Sequence, residues 1–280
     1  MPKSEEIHID SKNNPFDLKI RETMQYKDLI VLFIKRNFAL TYKQTILGPA
    51  WLIIQPLANS LILAVVFGMA LGISTDGMPQ FLFYLCGTSI WGLFSGTLTS
   101  LSDTFLSQAY LFSKIYFPRL TIPISQAISG ILRFLIQFAL IIVVFVYYAF
   151  SGVAFHISLS VLLIPVLLIQ AVLLAMGVGL MITSLTIKYR DLGLAVPFIA
   201  QVWMYLTPVV YSLSSLTGPL RTIMLYNPMT PIVNNFRYCL FGSGEFLTGP
   251  WAVSAIVTAV FLICGVLMFN RSEKSFIDII

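Results

Sequence analysis

The sequence predicts an all-α integral membrane protein: six transmembrane helices, an N-terminal amphipathic helix at the membrane interface, and re-entrant external helices between spans five and six. Three observations predict it. Hydrophobic residues make up 58% of the 280 residues and charged residues only 10%, where a soluble domain carries about 25% charge. Six apolar runs are each long enough to cross a bilayer, whose hydrocarbon core of ~30 Å needs ~20 residues at ~1.5 Å rise each. Lys and Arg concentrate in alternate loops, the pattern that fixes orientation.

The N-terminal segment, residues 1–49, reads as cytoplasmic. Glu5, Glu6, Asp10 and Asp17 stand among its bases and the first long apolar run starts only near Ala50, so no secretory signal peptide is expected. Within it, Tyr26 to Leu47 has Lys27, Asp28, Lys35, Arg36 and Lys43 on roughly half of a helical circumference, with Leu29, Ile30, Phe33 and Leu40 opposite. A basic helix of this kind lies in the interface plane. It serves either as an anchor that fixes topology or as a gate that meets a phosphate-bearing lipid, and composition does not separate the two.

The remainder, 50–280, reads as one six-helix transmembrane domain with spans at about 50–73, 81–101, 122–150, 159–185, 192–212 and 251–269. Eight of the 17 Lys and Arg precede the first span, and Lys114, Arg119, Lys188, Arg190, Arg271 and Lys274 follow even-numbered spans. The alternate loops hold only Arg221 and Arg237, so both termini are expected in the cytoplasm. Arg133 is the one base clearly inside a span, and it either snorkels to the near face or lines a path. Gln126, Gln137, Gln170 and Gln201 either cross-link helices or line one too. Gly68 to Gly72 and Gly92 to Gly96 fit GxxxG, a weak packing signal; Gly177 and Gly179 read as packing glycines, since no strand precedes them. Trp91, Phe94 and Tyr205 belong to an aromatic belt or core, or supply apolar faces along a passage.

The segment 213–250 is too polar for an ordinary span. Its apolar stretch Met229 to Phe241 contains Asn234, Asn235 and Arg237, while Pro219, Pro228 and Pro231 suit helix starts. Two short helices dipping back from the outer face are expected, lining or plugging a cavity; an external loop is the alternative.

Several functions are disfavoured. No intramembrane Asp or Glu chain supports proton coupling. Cys86, Cys239 and Cys264 form no CxxC, and His8 and His156 are far apart, so no metal site is expected. Asp76 and Glu245 are the only external carboxylates, a poor basis for acid–base catalysis.

The motif series Tyr42-Lys43-Gln44-Thr45-Ile46-Leu47-Gly48, Trp51, Gln55-Pro56-Leu57, Lys114-Ile115-Tyr116-Phe117-Pro118-Arg119, Lys188-Tyr189-Arg190-Asp191 and Thr207-Pro208-Val209-Val210-Tyr211 covers most of the chain in order. It continues through Asn227-Pro228-Met229, Phe236-Arg237 and Glu273 to Ile280. The series resembles the membrane subunits of ABC-2 type polysaccharide exporters, those moving O-antigen or similar lipopolysaccharide glycans above all, with capsule and teichoic acid exporters as relatives. The resemblance implies a homodimeric channel in the inner (cytoplasmic) membrane, among membrane lipids, with two copies of a separate ABC ATPase subunit that bind ATP and Mg. It implies no cofactor in this chain, no enzyme activity of its own and no nucleic-acid partner. The cargo it implies is a polysaccharide on a polyprenyl diphosphate, with a drug or small lipid as the alternative. Site roles follow by the same resemblance: Lys35, Arg36 and Lys43 on the gate helix toward the diphosphate, and Phe112, Lys114, Tyr116, Phe117 and Arg119 toward the ATPase. Asn227, Pro228, Phe236 and Arg237 would form the external gate; Trp91, Phe94, Arg133 and Tyr205 are the channel-lining candidates by residue type and place in the spans. The sequence lacks the GxxxxGK[ST] loop that holds nucleotide phosphates.

Overall fold

A computed structural model describes residues 23, 25–42, 45–104, 117–156 and 158–277. Among these there are nine helices and no strand: α1 Lys27–Tyr42, α2 Gly48–Ala70, α3 Gln80–Ser102, α4 Thr121–Phe150, α5 Leu159–Thr186, α6 Asp191–Tyr205, α7 Gly218–Tyr226, α8 Met229–Phe241 and α9 Thr248–Ile277. Five of them, α2 to α5 and α9, are long and apolar enough to cross a membrane.

The fifth predicted span, about 192–212, is shorter than its apolar run. α6 has 15 residues, about 22 Å of rise, and stops at Tyr205 rather than near 212. Pro208 explains the stop, since its ring opposes the carbonyl four residues back and disfavours helical geometry at Thr207. A run of turns then leads to a short 3-10 turn, Leu213–Ser215.

α3 is the central helix. It packs against α2, α4, α5, α6 and α8, and Phe83, Tyr84, Leu85, Ile90, Phe94 and Leu98 are all fully buried on it. α2 opens with Pro49 in its first turn and winds its last seven residues, Ala64–Ala70, as a π-helix. Gly72 then takes φ +63°, a conformation open to glycine, so the helix ends three residues before the predicted 73. Gly72 therefore sits in a turn and forms no GxxxG face with Gly68. Ser60 fixes the α2–α3 register: its hydroxyl donates to the Pro56 carbonyl at 2.7 Å and lies 3.0 Å from Thr88 Oγ1.

α5 and α9 form the largest helix contact. A Cβ on Gly177 would lie 2.6 Å from the Phe261 carbonyl carbon and the Leu262 nitrogen. Only glycine there allows the two backbones to approach, the packing role expected of it.

α1 does not stand free. Ile30 and Phe33 are buried, and the helix packs on α4 with Asn37 Nδ2 donating to Ser129 Oγ at 3.4 Å. Lys35 and Arg36 lie on its exposed side, but so do Leu32 and Leu40. Leu40 was expected on the apolar face; that face narrows to Leu29, Ile30 and Phe33, where α4 covers it.

α7 and α8 start where proline predicts. Pro219 occupies the first turn of α7 and Pro228 is the N-cap of α8. α8 spans the predicted residues, 229–241, and ends at Gly242, whose φ of +69° and N–H bond to the Tyr238 carbonyl at 2.8 Å close it. Every α8 residue except Tyr238 is buried, among α3, α5, α7 and α9.

Candidate functional site

α2, α3, α4 and α6 enclose a cavity of about 1010 Å³. Its wall on α3 runs from Thr88 to Ser100, about 18 Å of helix rise. Trp51, Gln55, Trp91, Arg133, Gln201 and Tyr205 give the wall its character: rings, amides and one guanidinium, with hydroxyls of Ser95 and Thr99 between them. Gly92 and Gly96 also line it, and a Cβ at either would meet nothing within 4 Å. They therefore smooth the wall rather than bring helices together. Trp51, Ile62 and Tyr205 are strongly exposed, whereas Trp91 and Phe134 are buried. The cavity is thus a furrow with its floor on α3 and α4 and its open edges on α2 and α6.

Of the four channel candidates, Trp91, Arg133 and Tyr205 lie in this wall and Phe94 does not. Phe94 is fully buried, with its ring 5.2 Å from Trp91 and 5.0 Å edge-on from Trp203 of α6. Three helical residues turn the side-chain direction by about 60°, which aims Phe94 at α6 behind the wall. Arg133 is partly exposed, one turn before Gln137, and makes no hydrogen bond or ion pair among the described residues.

At the end of the bundle predicted to be external, α7 and α8 are held by side chains bonded to backbone. Asn227 uses its whole amide: Oδ1 accepts from Trp203 Nε1 at 3.0 Å and the Met229 N–H at 3.1 Å. Its Nδ2 donates to the Leu206 carbonyl at 2.8 Å and Thr207 Oγ1 at 2.9 Å. The Pro228 carbonyl accepts from Ser254 Oγ at 2.7 Å, which accepts from Gln170 Nε2 at 2.9 Å, whose Oε1 accepts from Trp251 Nε1 at 2.6 Å. Gln170 is therefore a cross-link between α5 and α9, one of the two roles open to it from sequence. Asn235 binds Leu247 from both sides, accepting its N–H at 2.8 Å and donating to its carbonyl at 3.4 Å. Phe236 is buried against Phe134 and Phe138 of α4.

Arg237 is the buried cation of this cap. Nη1 donates to the Pro208 carbonyl at 2.5 Å and Nη2 to the Val209 carbonyl at 2.7 Å, and the guanidinium carbon lies 3.6 Å from the Phe83 ring centroid. Gly87 leaves the space the guanidinium occupies, because a Cβ there would collide with Nη2. Among the described residues no carboxylate bonds it; Asp76 is instead bonded by the hydroxyls of Ser212 and Ser214.

At the other end, the buried ring of Phe117 lies 5.8 Å from Phe33 of α1, and both pack on Ile122. Arg119 is half-buried beside them. Lys43, Phe112, Lys114 and Tyr116 lie outside the described residues. Sequence reasoning missed Trp203, Trp251, Ser254 and Gly87. Trp203 and Gly87 lie in mostly apolar spans, and the segments they contact are distant in sequence, so those contacts leave no trace in spacing.

Residues 28–241 match the ABC-2 type transporter family. Two curated relatives from Klebsiella pneumoniae, each named O-antigen export system permease protein RfbA, are 27% and 26% identical over 94% of this chain and 99% of the relative. A protein of the same name from Myxococcus xanthus is 23% identical over 92% of this chain and 98% of its own length. The chain belongs to the ABC-2 type transporter family: a multi-pass membrane permease of the ABC class, a transport subunit rather than an enzyme.

Proposed function

We propose that this ABC-2 family member is the channel-forming subunit of an ATP-driven exporter that moves a polyprenyl-diphosphate-linked polysaccharide of the O-antigen type from the cytoplasm across the inner membrane. The observation that carries the reading is the furrow between α2, α3, α4 and α6, where Trp51, Trp91 and Tyr205 alternate with Gln55, Gln137 and Gln201. A sugar presents apolar C–H faces and a rim of hydroxyls, so it suits rings that offer flat apolar surface and amides that donate and accept. A small lipid or drug would be served by a more uniformly apolar wall. The names of the relatives point the same way.

Two copies complete the passage on this reading, each presenting the exposed edges of α2 and α6 to the other. The fifth crossing is α6 extended by the turns that follow it, and α7 and α8 re-enter from the outside before α9 makes the sixth. α1 lies at the cytoplasmic interface, where Lys35 and Arg36, with Lys43 beyond its end, face the diphosphate; Arg offers a fork matched to phosphate oxygens and Lys a point charge. Energy arrives from two copies of a separate ATPase that bind below, holding ATP and Mg, through the loop of Phe112, Lys114, Tyr116, Phe117 and Arg119. The termini are cytoplasmic, in keeping with the 14 Lys and Arg on that side.

The test is export by chains with an altered wall. Trp91→Ala with Tyr205→Ala is expected to reduce surface glycan at least severalfold at unchanged membrane level of the protein. Full surface glycan in that strain would remove the furrow from the route.

A further inference from the structure

Among the described residues, Arg133 is the only charged side chain in the furrow wall, and no Asp or Glu lines it. It stands twelve residues into α4, about 18 Å along the helix from Thr121, and shares its face with Gly130, Phe134 and Gln137, which line the same space. The chain's other cation in apolar surroundings is treated differently. Arg237 has two carbonyls and a ring face as partners, the neutralisation that a buried cation requires. Arg133 has neither a hydrogen bond nor an ion pair among the described residues, and its neighbours in the wall are amides and hydroxyls that leave its charge uncompensated. A lone cation held within a membrane domain is costly and marks a pathway for charge.

We propose that Arg133 binds an anionic group of the cargo, so that the furrow takes an acidic polymer or its phosphate link rather than a neutral glycan alone. The planar fork of Arg matches a carboxylate or phosphate with two parallel N–H···O bonds, and no carboxylate among the described residues of the wall competes for it. This rests on the glycan-export reading. The anion has two possible sources, a carboxylate on the sugars or the diphosphate that joins polymer to lipid, and the two are separable by experiment.

The experiment is titration of the full-length chain in nanodiscs, followed by its tryptophan fluorescence, to which Trp51 and Trp91 of the furrow contribute, with three probes: a uronic acid hexasaccharide, an uncharged glucose hexasaccharide and inorganic pyrophosphate. The wild-type chain is expected to bind the uronate or pyrophosphate at least about tenfold more tightly than the neutral sugar. Arg133→Gln is expected to lose roughly tenfold in that affinity, with Arg133→Lys between the two. Uronate preference assigns the charge to the sugars and pyrophosphate preference assigns it to the link; either supports the site. Equal affinity for both sugars without pyrophosphate binding, or an Arg133→Gln chain indistinguishable from wild type, overturns the proposal and leaves glycan export standing. Arg133-dependent pyrophosphate binding with neither sugar bound upholds the anion site and removes the glycan reading. Binding of none of the three overturns both. Arg133→Lys, which keeps the charge and much of the volume, maintains the test should Arg133→Gln fold poorly.

Discussion

The guanidinium of Arg237 reaches from α8 to the turn after α6, and what it holds there sets the shape of this end of the bundle. Both carbonyls it binds, Pro208 and Val209, follow the point where proline stops α6, so they have no helix to satisfy them. Arg237→Met should leave them unpaired at about 1–3 kcal/mol each, lowering the unfolding temperature of the chain in detergent; Arg237→Lys should recover only part, since one ammonium lacks the fork. An unchanged unfolding temperature in Arg237→Met would show that the two carbonyls find other donors. Gly87→Ala acts on the same site from α3: its new methyl would press on Nη2 and on the Val209 carbonyl, 3.0 Å away, for an expected cost of about 1–3 kcal/mol. Arg237 was readable as a cap residue from its place in a polar, proline-bounded segment. Its acceptors were not, because they lie 28 and 29 residues away and backbone carbonyls have no sequence identity.

Helix existence was legible wherever the apolar runs were long, and helix ends wherever proline or glycine stood, as at Pro219, Pro228 and Gly242. Which face each helix buries was less so. Phe94 reads like Trp91 in sequence, yet one lies behind the furrow and the other in its wall, a difference set by Trp203 on α6. On α1, Leu40 and Phe33 read alike, but α4 and Phe117 cover only Phe33. That docking is testable: Phe33→Ala removes the ring against Phe117 and should release α1 from α4, so that trypsin cuts at Lys35 and Arg36 severalfold faster while the spans stay intact. Cleavage at the wild-type rate would mean that Ile30 and the Asn37–Ser129 bond hold α1 without the ring pair. Asn227 is the corresponding joint at the other end. Asn227→Asp keeps the acceptor for Trp203 and Met229 but loses both donors, and should loosen the turn between α7 and α8, seen as faster hydrogen exchange there; exchange as slow as wild type would make that amide dispensable.

At the scale of the whole molecule, a wide polar and aromatic furrow open along α2 and α6 accounts for a chain whose membrane domain has so little charge in its interior. Membrane class, an all-helical fold and a permease identity followed from composition, apolar run length and motif order. The furrow did not, because its wall draws on Trp51, Trp91, Arg133 and Tyr205 from four helices whose neighbours only packing decides. The orientation given by the Lys and Arg distribution predicts that a cysteine placed at Ser74, in the exposed α2–α3 turn, reacts with a membrane-impermeant maleimide added outside the inner membrane; reaction only after permeabilisation would invert the topology. The most direct measurement is a comparison of surface glycan with lipid-linked polymer in cells lacking this gene. Glycan export predicts loss outside together with accumulation of the lipid-linked polymer inside, and restoration of both by the wild-type chain. Normal surface glycan with no polymer retained would contradict it and assign the furrow to a different cargo.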